Sequence, residues 1–226
     1  MDKYSILKQY YGHSAFRAGQ EELIDSILSG RDALCVMPTG GGKSLCYQIP
    51  ALLLPGITLV VSPLISLMKD QVAALKSVGV PAAYINSSLT GEQIRTVYAR
   101  TRKGAYKLIY VAPERLETNS FLSLMQEMDV SFLAVDEAHC ISQWGQDFRP
   151  SYLGIVDFIN ALPRRPIVAA YTATATKQVQ SDILRLLQLQ SPYRIVTGFD
   201  RPNLYFDVRR PKNKFSASLS AAFIFP

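Results

Sequence analysis

The amino-acid sequence predicts an α/β fold with a mostly parallel central sheet flanked by helices. Seven short apolar runs, several of them rich in Val, Ile and Tyr, recur along the chain, and their length is typical of strands. Apolar and polar residues do not alternate within the runs, which favours strands buried on both faces of a parallel sheet. Segments of helical period lie between them, as in repeated strand–helix units. The predicted strands span 33–37, 57–61, 82–85, 107–111, 132–135, 167–171 and 193–197.

Helix start and stop signals occupy the intervals between these strands. The segment 20–29 is followed by Gly30, and glycine commonly ends helices. Thr90 and Gln93 form a capping-box pattern at the start of another predicted helix. Thr176 is in position to cap a helix before the last strand. One apolar stripe at helical spacing predicts a further helix, and it comprises Ile65, Met68, Val72, Leu75 and Val78.

The composition and net charge limit the kinds of function that this chain can have. The chain has 226 residues, 48% hydrophobic content and a net charge of +6, which permits nucleic-acid binding without establishing it. The sequence has no signal-peptide pattern and no apolar run of about 18 residues. We therefore expect a cytoplasmic protein without membrane partners, nucleoid-associated if bacterial. Three cysteines without CxxC spacing predict inert thiols. Two basic clusters are each interpreted as a solvated face or a tail rather than a binding site: Arg100, Arg102, Lys103 and Lys107, and Arg209, Arg210, Lys212 and Lys214.

A glycine-rich loop follows the first predicted strand. The segment PTGGGKS, residues 38–44, leads from this strand into a helix, which is the context of a phosphate-binding loop. Consecutive glycines let backbone N–H groups approach an anion, and the helix dipole adds to the attraction. The general loop pattern has a further glycine where this chain has Met37. Lys43 would reach the β- and γ-phosphates, and Ser44 would ligate Mg²⁺. The predicted binding residues of the loop are Thr39, Gly40, Gly41, Gly42, Lys43 and Ser44.

An acidic pair ends a later strand. The run FLAV delivers Asp136 and Glu137 to the carboxyl edge of the sheet, where ligands bind in such folds. Asp136 would hold Mg²⁺ through water, and Glu137 would orient or deprotonate an attacking water. Taken alone, the loop could be an ordinary glycine-rich turn before a helix. Taken alone, the acidic pair could be two solvated carboxylates at the end of a strand. Their co-occurrence predicts a site for a nucleoside triphosphate with Mg²⁺.

Five motifs carry a family resemblance. In chain order they are PTGGGKS, VSPLISLMKDQ (61–71), VAPERL (111–116), DEAHCISQWGQDFRP (136–150) and TATAT (172–176). From about Tyr11 to about Phe206 the chain closely resembles the RecQ family of superfamily 2 DNA helicases, and the segment after DEAH is the specific part. The resemblance implies a RecA-like P-loop NTPase lobe of an ATP-dependent 3′-to-5′ DNA helicase in repair and recombination. Its ligands would be ATP, Mg²⁺ and single-stranded or forked DNA.

The resemblance also assigns a role to the segment upstream of the loop. FRAGQ, residues 16–20, is similar to the adenine-recognition motif of the family, within an N-terminal segment over 11–30. Gln20 would hydrogen-bond the adenine edge, and Arg17 would lie near the base or ribose. His13 occupies a position that is often aromatic in the family, so it would stack on the adenine.

The segment after the acidic pair contains the one tryptophan of the chain, Trp144. In the family this segment is an aromatic-rich loop that senses single-stranded DNA. Trp144 and Phe148 would stack on bases, Arg149 would contact a phosphate, and Gln143 belongs to the same surface. The alternative, a core or interface aromatic, is disfavoured by the polar neighbours of Trp144. Gln146 stands where many family members have His.

Other motif residues have weaker assignments. The resemblance places His139 in the catalytic group, hydrogen-bonded toward Thr172 and Thr174. A further set lies at predicted strand ends and would hold DNA phosphates. Helix capping and solvation explain each of its members equally well, and they are Ser62, Ser66, Lys69 and Arg115.

The expected domain organisation is a helicase ATP-binding domain over residues 1–208 and an atypical tail over 209–226. We interpret the tail as a truncated or frameshifted end, and the alternative is a genuine short paralogue with a hydrophobic tail. The chain would lack a second lobe and would not unwind DNA. Two alternatives stay open. One is a non-catalytic fragment that binds nucleotide or DNA. The other is a DEAD-box RNA helicase, which is disfavoured by Trp144 and Phe148 and by the sequence DEAH where DEAD would be expected.

Overall fold

A computed structural model describes residues 1–198. Their centre is a sheet of seven strands in the order β3-β4-β2-β5-β6-β1-β7, and all six pairings are parallel. The predicted α/β class is confirmed, and the sheet is parallel throughout the described residues. The strands are β1 (Ala33–Val36), β2 (Ile57–Val61), β3 (Ala82–Ile85), β4 (Leu108–Val111), β5 (Val130–Val135), β6 (Ile167–Thr172) and β7 (Tyr193–Val196).

Helices pack on both faces of this sheet. The helix predicted from the capping box is confirmed, because Thr90 Oγ1 accepts from Gln93 N and Gln93 Oε1 accepts from Thr90 N. Thr176 caps the last helix as predicted. The helices are α1 (Lys3–Tyr11), α2 (Gln20–Leu28), α3 (Lys43–Leu53), α4 (Ile65–Ser77), α5 (Gly91–Arg102), α6 (Pro113–Leu116), α7 (Asn119–Glu127), α8 (Gly154–Ala161) and α9 (Lys177–Leu186), with 3₁₀ turns at Ala138–Ile141 and Pro150–Tyr152.

The core lies on the two faces of the sheet. Along β1, Leu34 and Val36 join one buried cluster, whereas Ala33 and Cys35 join the other, as expected for side chains that alternate along a strand. The stripe predicted on α4 is partly correct. Its central members Met68, Val72 and Leu75 are buried, but Ile65 is half-buried. Val78 is 40% exposed and follows the helix end.

A buried carboxylate anchors the amino end of β1. Asp32 forms a bidentate ion pair with Arg165, at 2.7 and 3.1 Å. Its oxygens also accept from the backbone N–H groups of Val168 and Gln190, at 2.9 and 2.7 Å. One side chain thereby ties the start of β1 to β6 and to the connection before β7.

The three cysteines are free and buried. Burial raises the pKa of Cys35 and of Cys140 to about 12, and it also raises the pKa of Cys46. The thiols therefore stay protonated at neutral pH, as expected of inert cysteines.

Several expectations fall outside the described residues. The boundary at 208, the tail over 209–226 and the second basic cluster all lie beyond residue 198. Within residues 1–198, none of the helices is long and apolar enough to cross a membrane. The first basic cluster is only partly solvated, because Lys107 is half-buried and donates to the carbonyls of Leu54 and Gly56.

Candidate nucleotide and DNA site

The strand order brings the predicted site residues to one edge of the sheet. Strands β1 and β5 lie on either side of β6, and all three point the same way. The loop after β1 carries Lys43, β5 ends before Asp136, and β6 ends at Thr172. The two halves of the predicted ATP site therefore meet at the carboxyl edge of neighbouring strands.

The phosphate loop has the backbone form that its glycines permit. Gly42, the residue before α3, has φ of 86°, and a Cβ atom there would collide with the Gln20 amide. Helix α3 begins at Lys43, so its first N–H groups face the loop. The Lys43 ammonium donates to the carbonyl of Met37 at 2.9 Å. The Lys43 side chain thus lies over the loop in which phosphates are predicted to bind.

The segment predicted to recognise adenine is joined directly to this loop. The Gln20 amide is buried and donates to the carbonyls of Gly41 and Gly42 at 3.2 and 3.3 Å, while its oxygen accepts from Arg17 N at 2.8 Å. The Arg17 guanidinium donates to the Gly40 carbonyl at 2.6 Å. These contacts give Gln20 and Arg17 a loop-holding role that the sequence did not predict.

A single cleft of about 420 Å³ collects most of the predicted residues. Gly41 does not line it, although its carbonyl accepts from Gln20. His13 is exposed at the cleft wall. The predicted residues that line the cleft are His13, Arg17, Gln20, Thr39, Gly40, Gly42, Lys43, Ser44, Asp136 and Glu137.

The acidic pair combines burial with backbone strain. Burial, followed by the neighbouring charge of Glu137, raises the pKa of Asp136 to about 6. Glu137 has φ of 47° and ψ of 43°, a left-handed conformation that is uncommon outside glycine. Such conformations persist where the surrounding contacts enforce them, and they cluster at functional sites.

The residues present fit a Mg²⁺ ion held together with a nucleotide. Ser44 and Asp136 face the same cleft, and hydroxyl and carboxylate oxygens are the ligands that Mg²⁺ prefers. Among residues 1–198, no cluster of three or more His, Cys, Asp or Glu side chains could hold a metal by itself. That donor set suits an ion that keeps waters and phosphate oxygens as its other ligands.

His139 links the acidic pair to the end of β6. Its Nδ1 atom lies 2.9 Å from Thr172 Oγ1 and 3.3 Å from Glu137 Oε2. The expected contact with Thr172 is present. Thr174 takes part through its backbone, because its carbonyl accepts from the Thr172 hydroxyl at 3.0 Å.

The aromatic loop has fixed ends and an exposed tip. Trp144 is 75% exposed, which excludes a core position within the described structure. The Ser142 hydroxyl donates to the buried Asp182 of α9 at 2.7 Å and accepts from Trp144 N at 3.2 Å. A Cβ atom at Gly145 would collide with the His139 carbonyl, so the loop packs closely on the 3₁₀ turn.

The remaining members of the loop surround this tip. Arg149 pairs with Asp147 at 2.8 Å and donates to the Pro63 carbonyl at 3.3 Å. The Asp147 carboxylate raises the pKa of Arg149. Gln143 is exposed, and Phe148 is half-buried.

The proposed phosphate contacts at the strand ends differ in accessibility. Ser66 and Lys69 are exposed, and Arg115 is half-buried. Ser62 is buried, and its hydroxyl has no hydrogen-bond partner among residues 1–198. A DNA contact is therefore more accessible to Ser66 and Lys69 than to Ser62.

Two residues of the site carried no signal in the sequence. Asp182 lies on α9, and Tyr152 lies in the second 3₁₀ turn, where its hydroxyl donates to the Asp136 carbonyl at 2.8 Å. Each bond joins residues that are distant in the sequence, and neither residue belongs to one of the five motifs.

Comparison with known proteins agrees with this geometry. The family model described as DEAD/DEAH box helicase matches residues 17–182. The ATP-dependent DNA helicase RecQ of Bacillus subtilis is 50% identical over 211 residues, which are 93% of this chain and 36% of that protein. RecQ of Haemophilus influenzae is 52% identical over 202 residues, 89% of this chain and 32% of that protein. The chain thus spans about a third of the length of these relatives.

Solved structures support the fold at lower identity. The helicase domain of Hef from Pyrococcus furiosus matches with a TM-score of 0.62 and 21% identity, over 80% of this chain and 38% of that one. The DUF1998 helicase MrfA bound to DNA matches with a TM-score of 0.69 and 16% identity, over 87% and 29%. The resemblance to RecQ helicases inferred from the motifs is confirmed by the identities above. Because the family model covers most of the chain, this chain belongs to the DEAD/DEAH box helicase family.

Proposed function

We propose that this chain is the ATP-binding lobe of a RecQ-type DNA helicase. In this proposal the lobe couples ATP hydrolysis to 3′-to-5′ movement on single-stranded or forked DNA in repair and recombination. One observation carries it: the loop with the exposed Trp144 follows, after one 3₁₀ turn, the acidic pair that lines the same cleft as Lys43. The proposed DNA contact and the two carboxylates of the nucleotide cleft thus lie on one segment of backbone.

The cleft residues divide the work of ATP binding and hydrolysis. On ATP binding, the Lys43 ammonium would leave the Met37 carbonyl and contact the β- and γ-phosphates with its positive charge. Ser44 and Asp136 would hold Mg²⁺, which neutralises developing phosphate charge when bound. Glu137, whose carboxylate lies 3.3 Å from His139 Nδ1, would orient the attacking water. Gln20 and Arg17 would adjoin the base.

Replacing Lys43 with alanine is expected to weaken binding of a non-hydrolysable ATP analogue with Mg²⁺ by roughly 10- to 150-fold, since a charge-assisted contact is lost. Isothermal titration calorimetry measures the change. Lys103→Ala, at an exposed lysine on the end of α5, is the matched control and should bind as the unmodified chain does. Equal affinities of Lys43→Ala and the unmodified chain would refute the proposed site.

Replacing Trp144 with alanine is expected to weaken binding of a dT oligonucleotide by about 5- to 150-fold, because one stacked base contributes about 1 to 3 kcal/mol. Fluorescence anisotropy of a labelled oligonucleotide measures it, and Tyr4→Ala removes another exposed aromatic residue as a control. An RNA oligomer of the same length tests the RNA-helicase alternative. Unchanged affinity in Trp144→Ala would mean that the loop has a purely structural role. A separate assay of ATP turnover with and without DNA would distinguish a motor from a fragment that only binds its ligands.

A further inference from the structure

The exit of the aromatic loop is bonded to the catalytic strand end. Tyr152 closes the 3₁₀ turn that follows the loop and is fully buried. Its hydroxyl donates to the Asp136 carbonyl at 2.8 Å. The acceptor belongs to the peptide group that joins Asp136 to Glu137, so the bond acts on the backbone between the two carboxylates.

This peptide group is held on both sides. Its carbonyl accepts from Tyr152, and its N–H, on Glu137, donates to Asp136 Oδ1 at 3.0 Å. The orientation of the peptide plane sets the φ angle of Glu137, which is 47°. Because this left-handed conformation is sparsely populated by residues other than glycine, it depends on contacts that hold the plane in place. Among the side chains of the described residues, the Tyr152 hydroxyl makes the contact at its carbonyl.

Backbone hydrogen bonds connect the aromatic loop to Tyr152. Arg149 N donates to the Cys140 carbonyl at 2.8 Å and closes the loop at its base. Ser142 is bonded to Asp182 at the other end. Tyr152 N donates to the Arg149 carbonyl at 3.0 Å, so the proposed DNA contact at Arg149 lies one turn from the tyrosine.

We propose that Tyr152 is a positioning residue that couples DNA contact at the aromatic loop to the placement of Asp136 and Glu137. The inference rests on the proposed function, since it assumes that the loop binds DNA and the cleft binds ATP–Mg²⁺. Tyr152 itself touches neither ligand. Its hydroxyl holds the peptide group that sets the orientation of Glu137. Movement of the loop would weaken or strengthen this hydrogen bond.

The test is a thermodynamic coupling measurement on the 226-residue chain. The affinity for an ATP analogue with Mg²⁺ is measured with and without saturating dT oligonucleotide, and the ratio of the two affinities is the coupling. The unmodified chain is expected to give a ratio of about fivefold or more, and Tyr152→Phe a ratio below about twofold. A uniform loss of affinity cancels in the ratio, so a merely structural effect leaves it unchanged. The fluorescence of Trp144, the one tryptophan, gives the reciprocal measurement, which must yield the same ratio.

Tyr98→Phe is the matched control. Tyr98 is also buried, and its hydroxyl has no hydrogen-bond partner within residues 1–198, so its removal should leave the coupling unchanged. Thermal melting of both variants establishes that they fold. Full coupling in Tyr152→Phe, or binding of both ligands by the unmodified chain without coupling, would overturn the positioning role alone. Failure of the unmodified chain to bind ATP or DNA would overturn the proposed function and this inference with it.

Discussion

Replacing Asp32 with alanine is expected to lower the free energy of unfolding by about 3 to 5 kcal/mol, because a buried acceptor of two backbone N–H groups and of an arginine is lost. The change leaves Arg165 without its carboxylate and the N–H groups of Val168 and Gln190 without their acceptors. For a domain of this size the corresponding fall in melting temperature is roughly 6 to 20 °C. Urea unfolding followed by circular dichroism measures the free energy.

The control removes a carboxylate from an ion pair at the surface. Glu127 pairs with Arg102 at 2.7 Å, and both side chains are about half exposed. Exposed pairs contribute little, so Glu127→Ala should melt close to the unmodified chain. A similar loss in both variants would mean that the network around Asp32 adds nothing beyond an ordinary surface pair.

Replacing Asp136 with asparagine is expected to stabilise the protein above pH 6 while removing the proposed carboxylate ligand of Mg²⁺. The pKa of Asp136 is raised from 3.8 to about 6 in the folded state, so the folded form binds the proton more tightly than the unfolded form. The resulting stabilisation is complete below about pH 4 and is lost as pH rises through 6. Above that pH the unmodified protein carries a buried carboxylate at a disadvantage on the order of 2 to 3 kcal/mol.

Unfolding free energies at pH 5, 6, 7 and 8 measure this effect. Asparagine does not titrate, so Asp136→Asn should gain over the unmodified protein as pH rises, without added Mg²⁺ or nucleotide. Asp70→Asn, at an exposed position on α4, controls for the loss of one negative charge. A difference that stays constant across this pH range would contradict the raised pKa. The gain in stability would show that the buried carboxylate of Asp136 is kept at the expense of the fold.

Local patterns predicted most of the fold. Buried parallel strands are uniformly apolar, and capping residues act within one turn, so Thr90 and Thr176 could be identified directly. The ends of the strands, in contrast, depend on pairing with residues of the neighbouring strands. Strand β5 begins at Val130, two residues before the predicted start, because Val130 pairs with Ile57 across an irregular register. Val78 fitted the helical stripe, but the helix ends before it, and its side chain is exposed.

The candidate site was predictable where its chemistry is contiguous in sequence. The Gly-rich loop and the acidic pair could be identified because phosphate and metal binding require particular residues at fixed spacing. The bonds from Gln20 to the loop carbonyls, and from Tyr152 to the Asp136 carbonyl, join distant segments through the backbone. Backbone acceptors leave no trace in residue identity, so these contacts required the structure.

The strand order has a consequence for the way the chain assembles. Within residues 1–198, strand β1, which precedes the predicted phosphate loop, pairs with β6 and β7, so Ala33 finds its partners at Ala169 and Tyr193. Loop closure on this scale slows folding, because the entropy of a long intervening chain is lost before the pairing forms. A chain emerging from the ribosome would hold an unpaired first strand until β6 and β7 had been synthesised. Nucleotide that binds the finished cleft would then favour only the fully assembled sheet.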